Sequence, residues 1–213
     1  MLMTSSAHAH GITTGDKGFI QESSGVLFSA FTYLGAKHMM TGYDHLLFLI
    51  GIVFFIYKLK EVRLYVTIFA VGHLVTLISG VYFNLPMNAY IIDVIIGLSV
   101  VYKGLDNMQV FEKMGLYIDT KKAVLVFGLF HGLGLAAKMQ EYELSPEGLL
   151  PNLLSFSLGV EIGQILALAV ILIAMSYWRK TKSFNRYAYS VNVILVCAGF
   201  ILMGYQIVGY IIS

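Results

Sequence analysis

Six apolar stretches near the length of a bilayer crossing restrict this chain more than any other feature of its sequence. They cover residues 44–57, 64–83, 85–102, 123–137, 149–178 and 187–212. A hydrocarbon layer about 30 Å thick takes about 20 apolar residues in a helix, and a helix satisfies its own backbone polar groups in lipid. The fifth stretch is long enough to tilt or to begin as an interfacial turn. Composition agrees, with 58% hydrophobic and only 12% charged residues, against about 25% charged in soluble domains. The sequence therefore predicts an all-α integral membrane protein, a bundle of six transmembrane helices forming a single domain over residues 19–213. Residues 19–37 are amphipathic rather than spanning and are expected on the membrane surface or as a short, re-entrant seventh helix. Residues 1–18 form a tail in which Ser5-Ser6-Ala7-His8-Ala9-His10 resembles the end of a secretory signal with an A-x-A-type cleavage site. Cys197, the one cysteine, excludes a disulfide framework and reads as a small buried hydrophobe.

Loop charge sets the orientation. Lys58, Lys60 and Arg63 follow the first run, Lys103, Lys113, Lys121 and Lys122 lie between the third and fourth, and Arg179, Lys180, Lys182 and Arg186 between the fifth and sixth. Of the 14 Lys and Arg residues, Lys17, Lys37 and Lys138 remain for the other side. By the positive-inside rule both termini are extracytoplasmic, and the acidic loop from Lys138 to Glu147 faces outward with them. A net charge of +2 gives no nucleic-acid footprint. The Gly128/Gly132 and Gly159/Gly163 pairs suit close helix packing.

Ionisable side chains inside a membrane helix cost about 2.5–3.5 kcal/mol each at mid-helix on insertion scales and point to function. Here they are Asp44 and His45 on the first run, His73 on the second, Asp93 on the third, His131 on the fourth and Glu161 on the fifth, with His38 just upstream. Counted from the outer ends at about 1.5 Å per residue, they are expected between the outer boundary and roughly 18 Å below it. The inner halves offer Thr67, Ser99, Ser176, Ser190 and Asn192 and no charge. One outward-opening pocket of imidazoles and carboxylates is the expectation, near the extracytoplasmic face. Such donors without thiolate suit zinc, nickel, cobalt, iron or Cu(II), and Met39 and Met40 leave an opening for copper. The candidate ligands are His38, Asp44, His45, His73, Asp93, His131 and Glu161. Thr76, Ser157 and Gln164 are expected as their supporting partners, and Ser157, Glu161 and Gln164 as a polar stripe facing the bundle interior. Asp44 also suits the N-cap of its own helix, orienting an imidazole.

The segment His38-Met39-Met40-Thr41-Gly42-Tyr43-Asp44-His45 matches the H-x3-G-x-D-H signature of the HupE/UreJ proteins, and Phe130-His131-Gly132-Leu133-Gly134 resembles their later F-H-G motif. Gly72-His73-Leu74-Val75-Thr76-Leu77 and Gly159-Val160-Glu161-Ile162-Gly163-Gln164 are similar to further blocks of one branch of that family. The resemblance implies a hydrogenase or urease accessory protein of a bacterial inner membrane, with nickel permease the usual assignment. Nickel-permease members carry a second His and a Glu shortly after F-H-G, where this chain has Leu135, Ala136 and Ala137. On that comparison the carboxylate is expected from Glu161.

Two functions follow. In the first, a divalent-metal permease captures nickel, zinc or a related ion, with membrane lipid around it and a metallochaperone as partner. In the second, an intramembrane metalloenzyme, the metal lowers the pKa of bound water to about 7 and Asp93 or Glu161 is the general base in hydrolysis or transfer on a lipid-linked or periplasmic substrate.

Overall fold

The structure, a computed structural model, describes residues 25–140 and 147–213. The N-terminal tail of residues 1–18 and most of the acidic loop lie outside the described residues. Every regular element described is helical. The helices are α1 (Phe28–Thr41), α2 (Tyr43–Val53), α3 (Leu59–Tyr82), α4 (Ala89–Asn107), α5 (Val110–Lys113), α6 (Thr120–Gln140), α7 (Leu149–Trp178) and α8 (Lys182–Ile212). Four of them, α3, α6, α7 and α8, are long and apolar enough to cross a membrane. Helix α4 holds 19 residues but carries Asp93, Lys103 and Asp106. Local signals set the boundaries. The Asn88 side chain accepts a bond from the Ile91 amide at 3.2 Å to cap α4, the Asp119 carboxylate accepts one from the Lys121 amide at 2.9 Å to open α6, and Gly148 enters α7 with φ of 77°, a conformation that favours glycine.

Three helix pairs build the frame, α3 with α6, α1 with α7 and α4 with α8. Each meets through glycine, because without a hydrophobic drive in lipid the helices adhere by close backbone approach. A Cβ at Gly128 would collide with the Phe69 backbone, and one at Gly132 with the His73 carbonyl. Gly35 lies against the Phe156 backbone, Gly159 against the Thr32 carbonyl and Gly163 against Ala36. Gly97 and Gly199 face each other across α4 and α8. Contacting residue numbers rise together in the first two pairs, so those helices are parallel; in the third they run opposite, so α4 and α8 are antiparallel.

Helix α2 occupies the middle and contacts α1, α3, α4, α7 and α8, with Asp44, His45, Phe48, Leu49, Gly51, Ile52 and Val53 all buried. Helices α1 and α2 run one after the other alongside α7. The Asn152 side chain accepts from the Leu27 amide and donates to the Gly25 carbonyl, both at 2.8 Å. Ala36 then lies at Gly163, and Val53 and Phe54 meet Arg179 just past the far end of α7. Of the two expectations for residues 19–37, this agrees with a short extra helix and not with a segment lying on the surface. From Phe28 onward the chain is a packed helix, because Gly35 and Ala36 offer a small face to Gly159 and Gly163. Asp44 and His45 open their helix, as expected, but that first turn of α2 lies at a break between two helices partway along α7.

Three smaller corrections follow from the same packing. Lys138 belongs to the last turn of α6 and is buried. Lys103, expected in a loop, is a buried residue of α4. Cys197 is exposed, since α8 turns Gly199 and Asn192, not Cys197, toward α4. The glycine contacts give the first prediction. Gly159→Leu, which drives a side chain into the α1 backbone, lowers stability by about 3 kcal/mol or more. Thermal unfolding of the purified protein in detergent reads this as a clear drop in midpoint, while Gly204→Leu, where a Cβ meets open space, leaves the midpoint close to wild type.

Candidate metal centre

The break between α1 and α2 lies at Gly42, whose ψ of 105° departs from the helix while its amide still donates to the His38 carbonyl at 3.0 Å. Its lack of a side chain matters, because a Cβ there would stand 2.5 Å from His45 Nδ1 and 3.2 Å from Asp44 Oδ1. Glycine thus lets the first turn of α2 fold its two polar side chains back over the break. Asp44 is 1% exposed and His45 2%, and His45 Nδ1 lies 3.1 Å from Asp44 Oδ1. The other carboxylate oxygen, Oδ2, lies 3.5 Å from Nε2 of His131, near the midpoint of α6. The two imidazole centroids are 5.1 Å apart. His38, in the last turn of α1, stands edge-on to His45 with centroids 5.2 Å apart and against Phe156 at 5.9 Å.

One detail decides the chemistry. His131 Nδ1 is 2.7 Å from the Phe127 carbonyl oxygen, which can only accept, so Nδ1 carries the hydrogen. In the neutral ring Nε2 then presents a lone pair toward the Asp44 carboxylate and has no hydrogen-bond partner among the described residues. A cation between that nitrogen and the carboxylate would be coordinated by both. Donor atoms of Asp44, His45 and His131 lie within 4.8 Å of one another. A tetrahedral ion with bonds of about 2.1 Å holds its ligands about 3.4 Å apart, so modest side-chain closure would bring these three donors onto one ion and leave a fourth position open. Two imidazoles and a carboxylate, with His38 adjacent, fit a divalent ion of the zinc, nickel or cobalt type.

The remaining predicted residues are placed elsewhere. His73 is buried in α3, its ring stacked over Phe69 at 6.4 Å, and is not a member of the three-residue group. Asp93 forms a buried ion pair with Lys138, 2.7 Å from Oδ2 to Nζ, bridging α4 and α6. Glu161 is exposed, contrary to the inward-facing stripe expected of it. Gly159 and Gly163 fix which side of α7 faces α1, and residue 161 projects about 200° round from Gly159 at 100° per residue. Gln164 is buried, with neither amide atom bonded among the described residues. The Thr76 hydroxyl donates to the Leu129 carbonyl of α6 at 2.7 Å, and that of Ser157 to the Leu153 carbonyl at 2.9 Å. Neither general-base candidate, Asp93 or Glu161, stands in the group.

Beneath the centre lies a floor that sequence reasoning missed. Phe48 and Phe69 are 5.5 Å apart, Phe48 and Phe127 5.9 Å, and Phe69 packs on the His131 ring at 4.8 Å. Each phenylalanine lies one turn from a histidine of its own helix, and given the helix directions all three lie on the same side. The signal was present in the spacings Phe69/His73, Phe127/His131 and His45/Phe48.

These features define a class, a helical membrane protein with a buried His/Asp centre at a broken helix. The chain belongs to the HupE/UreJ family, whose model, described as HupE / UreJ protein, matches residues 14–213. No match is found among curated proteins or solved structures.

The geometry at the break yields a prediction. Gly42→Ala displaces the His45 ring and weakens binding of Ni²⁺ or Co²⁺ at least tenfold by isothermal titration calorimetry. Gly204→Ala, where a Cβ meets open space, leaves the affinity unchanged.

Proposed function

We propose that the protein is a divalent-metal permease of nickel or cobalt type, for which the ion at Asp44, His45 and His131 is the cargo. The observation that carries this reading is the position of the three donors, at the junction of two half-helices and level with the middle of α6. Transporters place substrate sites near the bilayer midplane at discontinuous helices, where backbone and dipole ends are open to an ion. The C-terminal end of α1, the negative end of its dipole, meets the break. Asp44 lies over the positive end of α2 and offsets it.

In this reading α1 and α2 together make one broken crossing, and with α3, α4, α6, α7 and α8 the bundle crosses six times. The basic residues around α5 and between α7 and α8 face the cytoplasm, and both termini lie outside a bacterial inner membrane. The layer of Phe48, Phe69 and Phe127 then closes the cytoplasmic side of the site. It gives the closed floor of an outward-loaded state, which alternating access must open. Family membership and a donor set free of sulfur support nickel or cobalt over soft ions.

Reconstituted protein tests this directly. Proteoliposomes loaded with a metal-sensitive dye take up Ni²⁺ or Co²⁺ at least tenfold faster than protein-free vesicles, and Asp44→Asn and His45→Ala each return uptake to that background. Stoichiometric binding with no flux above empty vesicles sinks the permease reading.

A further inference from the structure

The inner end of α2 is held as deliberately as its outer end is broken. The last carbonyls of a helix have no intrahelical partner and must be met from outside. Here Arg179 Nη2 donates to the carbonyl oxygens of Val53 and Phe54, the latter at 2.9 Å, and its guanidinium stacks over the Tyr57 ring at 4.5 Å. From the opposite side Asn107 Nδ2 donates to the Gly51 carbonyl at 2.9 Å and to Asn192 Oδ1 at 2.9 Å. Asn192 in turn donates to the Ala188 carbonyl at 2.9 Å. Gly51 lies against the buried Lys103 stem, and Lys103 Nζ pairs with Asp106 at 2.5 Å. Donors from α4 and from the α7–α8 connection thus grip one turn of a helix 11 residues long.

A short helix between a break and a clamp has its position set at its two ends. Its first turn carries Asp44 and His45. The third donor, His131, belongs to α6, which is fixed separately on α3 by Gly128 and Gly132. The distance from the α2 donors to His131 therefore depends on where the clamp holds Val53.

We propose that Arg179, assisted by Asn107, is a positioning residue for the metal centre, setting the depth and rotation of α2 and hence the spacing of Asp44 and His45 from His131. The proposal rests on the reading of those three residues as a metal site. One guanidinium nitrogen meets both carbonyls while the planar group stacks on Tyr57, a combination that the compact ammonium of lysine does not reproduce, so the contact is sensitive to Arg→Lys as well as to Arg→Gln. Arg179 also lies beside Lys180 at the basic connection of α7 and α8, so the clamp ties that surface to a centre on the far side of the phenylalanine layer.

The test is Co²⁺ titration of the full-length purified protein, followed by the visible d–d absorption that reports coordination geometry. Arg179→Gln raises the Co²⁺ dissociation constant at least tenfold and shifts the band. Arg179→Lys gives a loss of about threefold, and Arg186→Gln, an exposed cation over Tyr187, changes neither. Should Arg179→Gln not yield folded protein, Asn107→Ala carries the test from the other side of the clamp, with the same expected direction. Wild-type affinity and spectrum in a folded variant, with only the unfolding temperature lowered, overturn the proposal and leave the clamp a helix cap. Failure of the wild-type protein itself to bind Co²⁺ overturns the metal reading and this proposal together, which separates the two.

Discussion

The break at Gly42 is the constraint on which the rest of the structure depends. A continuous helix through this segment would satisfy every backbone group and carry Asp44 and His45 wherever its periodicity sent them. Ending α1 at Thr41 and starting α2 at Tyr43 instead brings two helix ends into the bundle, with the side chains of His38, Asp44 and His45 clustered about them. Such a discontinuity is tolerable in a membrane only where protein surrounds it, and α2 is accordingly encased by its neighbours. Glycine is needed because the folded-back His45 ring occupies the space of a Cβ.

The helix pairs supply what the break lacks. Two of the three, α1 with α7 and α3 with α6, are parallel and bring glycine onto partner backbone. They hold the half-site on α1 and α2 and the half-site on α6 on separate rigid supports. The buried Asp93–Lys138 pair fastens α4 to α6 near the other end of the bundle. Removing one partner of such a pair typically costs about 3–5 kcal/mol. Its carboxylate has an ammonium as counter-ion, whereas Asp44 faces two imidazoles, and so the two buried aspartates of the core have different chemistry.

The all-helical class and the apolar runs were legible, because membrane-length hydrophobic runs are a strong signal. The glycine packing was legible too, since small residues at four-residue spacing have few other uses in lipid. Asp44, His45 and His131 were visible as costly residues, although their assembly into one group depended on tertiary structure. What failed had physical causes. Residues 19–37 read as amphipathic because polar residues interrupt the apolar ones, although the described helix buries Phe31, Leu34, Gly35, His38 and Met39. The break at Gly42 between α1 and α2 was therefore not legible. Lys138 was assigned to a loop since its charge reads as solvent-seeking, and its neutralising partner lies 45 residues away in sequence. Glu161 was drawn inward by the rule that membrane carboxylates seek the core, while the glycines beside it had already fixed the helix rotation. Arg179 entered the topology count as one more positive charge, and nothing local marks it as the clamp on α2.

The central claim is that imidazoles from two different helices and the Asp44 carboxylate hold one divalent ion at the break. X-ray absorption at the metal edge of the Ni²⁺- or Co²⁺-loaded protein addresses it without reference to transport. A centre built from Asp44, His45 and His131 gives a shell of nitrogen and oxygen at about 2.0–2.2 Å, with the multiple-scattering pattern of at least two imidazoles, reduced to one in His131→Ala. A sulfur shell, or a shell of oxygen alone with no imidazole scattering, contradicts it.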